Sequence, residues 1–188
     1  MKSRESGMPE QKMWNNLFNI EMILNKMEIN NSVKSLVDFG CGYGTFAIPA
    51  SELINGNVYA LDIETELIEK LSGIAQQNFP NLVPINLDFI QNEIKIENDL
   101  VNYVMLFNIL HAEESEILLK KAFKLLENGG KLGVIHWIFD EKTPRGPSMK
   151  IRPKPEELKN KIEKVGFKIL KYNITLPPYH FGILAEKP

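Results

Sequence analysis

The sequence predicts a doubly wound α/β fold around a mainly parallel sheet, formed by a single domain. From Val33 onward, β-branched runs alternate with segments of helical period, the pattern of parallel strands joined by helices that cover both faces of a sheet. Gly40, Gly42 and Gly44 follow the first of these runs and open onto a helical stretch. A length of 188 residues suits one domain with a sizeable core, and no second catalytic domain is expected.

The elements follow in order. Over residues 9–28, Trp14, Leu17, Phe18, Ile20, Ile23, Leu24 and Met27 recur at helical spacing, which predicts one amphipathic helix packed on the domain. Residues 33–138 form the core, with strands expected at SVKSLVDF, NVYALD, LVPINL, LVNYVMLF and KLGVIHWI and helices starting near Gly44, Thr65 and Glu113. Leu67, Ile68, Leu71, Ile74 and Ala75 make one apolar stripe, and Ile117, Leu118, Ala122, Leu125 and Leu126 make another. The second of these helices is expected to end at Gly129-Gly130, where a left-handed cap costs little. Residues 139–154 are rich in proline and basic side chains and read as a functional loop. Residues 155–188 hold a last helix, Pro155 to Val165, closed by Gly166, then a strand pair around Pro177-Pro178.

Composition narrows the function. Twenty-two basic and 24 acidic residues give a formal charge of −2, which offers no global attraction to nucleic acid and favours a small-molecule partner. No apolar run approaches the roughly 20 residues of a membrane span, and the first residues lack the apolar core of a signal peptide, so a cytoplasmic protein is expected. The single cysteine, Cys41, forms no internal disulfide and no thiolate metal site. The oligomeric state is left open by the sequence.

The strongest chemical signal is Val37-Asp-Phe-Gly-Cys-Gly-Tyr-Gly-Thr-Phe46. Glycines between a strand and a helix permit a tight turn and let a ligand approach the backbone without a Cβ in the way. A dinucleotide fingerprint requires glycine or alanine where Thr45 stands, so the spacing points to another adenosine ligand. Asp38-x-Gly40-x-Gly42-x-Gly44 resembles motif I of class I S-adenosylmethionine-dependent methyltransferases.

The resemblance continues through residues 33–137. Asp62 ends the second strand, where a carboxylate in an open α/β sheet faces the crevice that receives a ribose; as a helix cap or turn residue it has a purely structural alternative. Asn86-Leu-Asp-Phe89 ends the third strand, and the resemblance assigns Asp88 to the adenine amino group, with Ile63 and Phe89 as apolar walls. DLVNYVMLFNILHA resembles motif IV, placing Phe107 and Asn108 at the methionine end. Leu126-Glu-Asn-Gly-Gly-Lys-Leu132 resembles the family's L-x-P-G-G-x-L, with Asn128 in place of proline. The family fold is Rossmann-like: a seven-stranded sheet of order 3-2-1-4-5-7-6 with strand 7 antiparallel. The implied cofactor is S-adenosylmethionine, with S-adenosylhomocysteine as product.

That topology brings His111, His136 and His180 to one sheet edge. They are candidates to position or deprotonate an acceptor, and no carboxylate or thiolate spacing makes them a metal site. Arg145 and Arg152 flank the proline-rich loop, and a guanidinium fork suits a carboxylate or phosphate on the acceptor; solvation is the structural alternative. The fourth strand leads into Phe107-Asn-Ile-Leu110 rather than the Pro-Pro-aromatic segment of base N-methyltransferases, which disfavours DNA. Two rival readings are a nicotinamide-dependent oxidoreductase and a methyltransferase-like binding or scaffold protein without turnover.

Overall fold

The structure, a computed structural model, describes residues 10–96 and 100–188. Its elements are α1 (Gln11–Asn15), α2 (Ile20–Lys26), β1 (Leu36–Phe39), α3 (Ala47–Leu53), β2 (Val58–Asp62), α4 (Thr65–Asn78), β3 (Leu82–Asn86), β4 (Val101–Phe107), α5 (Ser115–Leu125), β5 (Leu126–Trp137), α6 (Pro155–Val165), β6 (Lys168–Leu176) and β7 (His180–Glu186). The strands form one seven-stranded sheet in the order β3-β2-β1-β4-β5-β7-β6. β1 to β5 run parallel, and β7 lies antiparallel between β5 and β6. The expected topology is the one observed.

Two buried clusters, one on each face, hold the sheet between helices. Leu36, Ala60, Met105, Phe107, Ile135, Trp137 and Leu184 pack with Ile23 and Leu24 of α2, Ala47 of α3 and Leu71 of α4. Val37, Phe39, Leu61, Val104, Val134, Phe181 and Ile183 pack with Leu118 and Ala122 of α5 and Leu158 of α6 on the other. The alternation along β4, β5 and β7 is the period of two expected when successive side chains point to opposite faces. Tyr103 ties α2 to the sheet: its buried hydroxyl donates to the Met27 carbonyl at 2.6 Å.

Several local expectations are corrected. The N-terminal segment is two short helices, because the Asn19 side chain accepts from Met22 N–H and starts α2 afresh, the capping role that asparagine prefers; Pro9 lies outside the described residues. The helix expected near Gly44 begins at Ala47. Ile74 and Ile117 point to solvent, at 38% and 42% exposure, and drop out of their stripes. Gly129-Gly130 does not cap α5. Leu126 already turns extended (ψ 137°), and Gly129, at φ +78°, lets β5 bend so that its N–H reaches the Lys187 carbonyl at 2.7 Å.

Candidate cofactor and acceptor site

The glycine turn sits at the C-terminal edge of β1. Gly40 and Cys41 N–H both donate to the Leu61 carbonyl, at 2.8 and 3.0 Å, so the turn hangs on the end of β2. Gly40, Gly42 and Gly44 all have positive φ, of 71°, 54° and 77°. A Cβ at Gly40 would stand 2.9 Å from Ile109 Cδ1, and one at Gly44 would stand 2.7 Å from Leu71 Cδ1. The left-handed backbone at all three positions favours glycine, and at Gly40 and Gly44 a side chain would also have to move a neighbour.

Asp62 fixes this backbone. Its Oδ2 accepts from Gly42 N–H at 2.8 Å and its Oδ1 from Glu64 N–H at 3.0 Å. The turn-holding role considered for Asp62 is therefore real, and a carboxylate with about four lone-pair sites retains capacity for ribose hydroxyls. Asp38 points into the same region from β1, almost wholly buried. Burial, reinforced by the Asp62 charge, pushes its carboxyl up to about 8, so it is largely protonated at neutral pH.

Asp88 accepts from Ile90 and Gln91 N–H through Oδ1, which shapes the chain after β3. Phe89 is buried in the core, its ring edge-on to Phe39 at 5.3 Å, so packing alone accounts for it. Ile63 is half-buried beside Asp62. At the end of β4, the Phe107 ring meets Phe46 edge-on at 5.0 Å. Asn108 takes φ +58°, and both polar atoms of its buried carboxamide make no hydrogen bond among the described residues. Such groups are rare, and each costs about 1–3 kcal/mol unless a ligand or water pairs it. A left-handed glycine turn beside an unpaired buried amide fits a polar ligand such as the methionine end of S-adenosylmethionine.

The three histidines do not form one group. His136 pairs with Phe181 and His180 with Trp137 in the β5–β7 ladder, so the two rings point to opposite faces of the sheet. His136 is fully buried and lies 3.3 Å, Nε2 to Nδ1, from His111. His180 lies across the sheet against Phe18 (ring centroids 4.6 Å apart) and Trp137 (4.4 Å), with neither ring nitrogen hydrogen bonded among the described residues. Burial holds His111 down to about 4, His180 down to about 3, and His136 well below its ordinary value. All three are neutral imidazoles at pH 7. Among the described residues, no group of three or more His, Cys, Asp or Glu is placed to hold a metal.

Arg152 is corrected from an acceptor-binding fork to a staple of its own loop. It is 6% exposed. Nε and Nη2 donate to the Pro147 carbonyl, Nη2 also to that of Arg145, and Nη1 to the carbonyls of Ile138 and Asp140 and to Thr143 Oγ1. These acceptors engage the guanidinium donors and leave no fork for a substrate. Arg145 lies exposed on the same loop, and Gly146 packs against Trp137, where a Cβ would come within 2.9 Å of Cγ.

Sequence reasoning did not single out Phe18, Phe46 or Asn15. Thr45 Oγ1 donates to Asn15 Oδ1 at 2.9 Å, joining α1 to the glycine turn, and Phe18 touches both Phe46 and His180. Phe18, as a member of an amphipathic stripe, carried no separate signal, and Phe46 stood only as the end of the glycine-rich segment.

A family model described as a methyltransferase domain matches residues 36–130. A ribosomal protein L11 methyltransferase of Legionella pneumophila is 30% identical over 115 residues, 59% of this chain and 36% of that protein, so the match spans about a third of that relative's length. Among solved structures, a SAM-dependent methyltransferase from Aquifex aeolicus superposes with a TM-score of 0.79 at 20% identity, over 92% of this chain and 91% of its own. The [4+2]-cyclase SpnF superposes at 0.74 and 14% identity, over 100% and 85%. No helix among the described residues is long and apolar enough to cross a membrane. The sheet order and the turn that Asp62 holds agree with the match over residues 36–130, and the chain belongs to the methyltransferase-domain family, as a class I, S-adenosylmethionine-dependent member.

Proposed function

We propose that the chain transfers a methyl group from S-adenosylmethionine to a small-molecule acceptor by direct displacement, releasing S-adenosylhomocysteine. The observation that carries this reading is the buried, unpaired carboxamide of Asn108 beside the glycine turn. A fold neighbour that is a cyclase shows why fold alone would not suffice. Gly40, Gly42 and Gly44 would give backbone access, Asp38, Phe107 and Asn108 would meet the methionine end, Asp62 the ribose, and Ile63, Asp88 and Phe89 the adenine. When bound, the cofactor supplies an electrophilic methyl group on a sulfonium.

The chain's own residues hold the acceptor in line and exclude water, which is most of what such a displacement needs. A hydroxyl or amine acceptor also gives up a proton. His136 is enclosed against His111 and would act only through it, His111 is half-buried and can meet an acceptor, and His180 meets one only if a ring covering it moves. Neutral imidazoles are in the correct state to accept a proton. Arg145 is kept as a contact for the acceptor's outer end. The L11 relative is named for a protein acceptor, but the two-thirds of it beyond the match has no counterpart in the alignment. The cytoplasmic setting expected from the sequence is kept as part of this reading.

Equilibrium dialysis against methyl-tritiated S-adenosylmethionine tests the proposal. Retained label displaced by S-adenosylhomocysteine and not by NADH supports it; displacement by NADH, or no retained label, overturns it.

A further inference from the structure

The face of the sheet that carries His180 holds more than core packing requires. His180 is 2% exposed, and both ring nitrogens lack partners among the described residues. Phe18 lies nearly parallel to it, 29° between ring planes, and Trp137 tilts at 47° beside the pair, its centroid 6.4 Å from that of Phe18. A buried histidine selected only for packing would lose nothing as phenylalanine, whereas an unpaired imidazole is a standing cost unless something pairs it in another state.

The rings leave no gap for a ligand. A flat group inserted between two others needs about 7–8 Å between them, two contacts of about 3.5–4.0 Å, and His180 is 4.6 Å from Phe18 and 4.4 Å from Trp137. His180 is 2% exposed, so a ring that stacks on it must displace a group that now covers it. Trp137 is held by its strand: it pairs with His180 at the end of the β5–β7 ladder, stacks on Tyr179 at 6.2 Å, and has the Arg152 guanidinium and Gly146 against it. Phe18 lies between α2 and a five-residue α1, and a helix that short is marginal by itself. Phe18 is thus the covering ring carried on a connector rather than on a strand.

We propose that Phe18 occupies the place of the methyl acceptor, and that the acceptor presents a flat, uncharged ring which displaces Phe18, stacks on His180 and hydrogen bonds to its free nitrogen. This rests on the methyl-transfer reading and names the acceptor class. The charge felt at His180 is that of Arg152, whose donors are engaged by loop oxygens and whose charge is offset by Asp140. A charged ring would be buried there without a partner. For a ring hydroxyl or ring N–H, the acceptor's lone pair forms the new bond to the methyl carbon, the carbon–sulfur bond breaks with its pair going to sulfur, and the acceptor's proton passes to His180.

Three probes of one shape test this by calorimetry, with and without S-adenosylhomocysteine: 2-naphthol (neutral), 2-naphthoate (anionic) and 2-naphthylmethylammonium (cationic). The expected result is that 2-naphthol binds tightest, that Phe18→Ala tightens it about tenfold, and that His180→Phe weakens it about tenfold without lowering Tm. The proposal is overturned if Phe18→Ala leaves binding unchanged or weaker, if a charged probe binds as well, or if His180→Phe has no effect on binding. Should Phe18→Ala fail to fold, the His180→Phe and charge comparisons decide alone. Naphthol binding without any S-adenosylhomocysteine binding would keep the slot and remove the methyl-transfer reading.

Discussion

Gly42 and Asp62 stand 20 residues apart in the chain, yet the Gly42 N–H donates to Asp62 Oδ2 at 2.8 Å. This bond ties the turn after β1 to the end of β2, so one carboxylate fixes the backbone that a nucleoside ligand would approach. The other Asp62 oxygen starts the chain toward α4 by accepting from Glu64 N–H.

Gly44→Ala puts a side chain at φ +77° and a Cβ 2.7 Å from Leu71 Cδ1. Left-handed backbone costs a non-glycine residue about 1–2 kcal/mol, and displacing Leu71 adds to it. Urea denaturation should show a loss of at least about 1 kcal/mol, where an exposed Gly73→Ala, with open space around its Cβ, should be neutral or stabilising.

Arg152→Lys keeps the charge and loses the fork. Hydrogen bonds to a charged group are each worth about 1.5–3 kcal/mol when lost, so a destabilisation of about 2–4 kcal/mol is expected once partial compensation by lysine is allowed for. Limited proteolysis should then cut within residues 139–154 faster than in wild type. Equal cutting rates would contradict the staple.

Stability should peak near pH 6.5. The Asp38 carboxyl is raised from 3.8 to about 8 by burial and by Asp62, so between those values the folded state binds the extra proton. Its contribution is full below about 4 and is lost as pH rises through about 8, at about 1.4 kcal/mol per pH unit at most. The histidines act in the opposite sense. His111 and His180 are lowered from 6.5 to about 4 and about 3, and His136 falls in the same direction, all by burial first. Below 6.5 the unfolded state binds more protons, so stability falls with acid. Urea midpoints at pH 5, 6.5 and 8 check the maximum, and Asp38→Asn should flatten the alkaline side and steepen the acid side, because the Asp38 window runs from about 4 to about 8.

The alternation of strands with helices and the glycine turn were legible in the sequence, because strand period and glycine spacing are local properties, while the sheet order followed from the family resemblance that the motifs carry. The facing of the histidines was not. His136 and His180 sit on adjacent strands, and a shift of one residue in the β5–β7 register would have placed both rings on one face. Arg152 was misread for a related reason: an arginine in a proline-rich loop looks solvated until the chain folds back and its own carbonyls surround it. The break before α2 was marked by Asn19, which the apolar stripe on either side outweighed.

Calorimetric titration of S-adenosylmethionine and S-adenosylhomocysteine into wild type and Asp62→Ala tests the central claim most directly. Wild type is predicted to bind both, and the variant, folded by circular dichroism, to bind them about 100-fold more weakly or not at all. Wild type that binds neither ligand, or a variant that binds as tightly as wild type, would contradict the account.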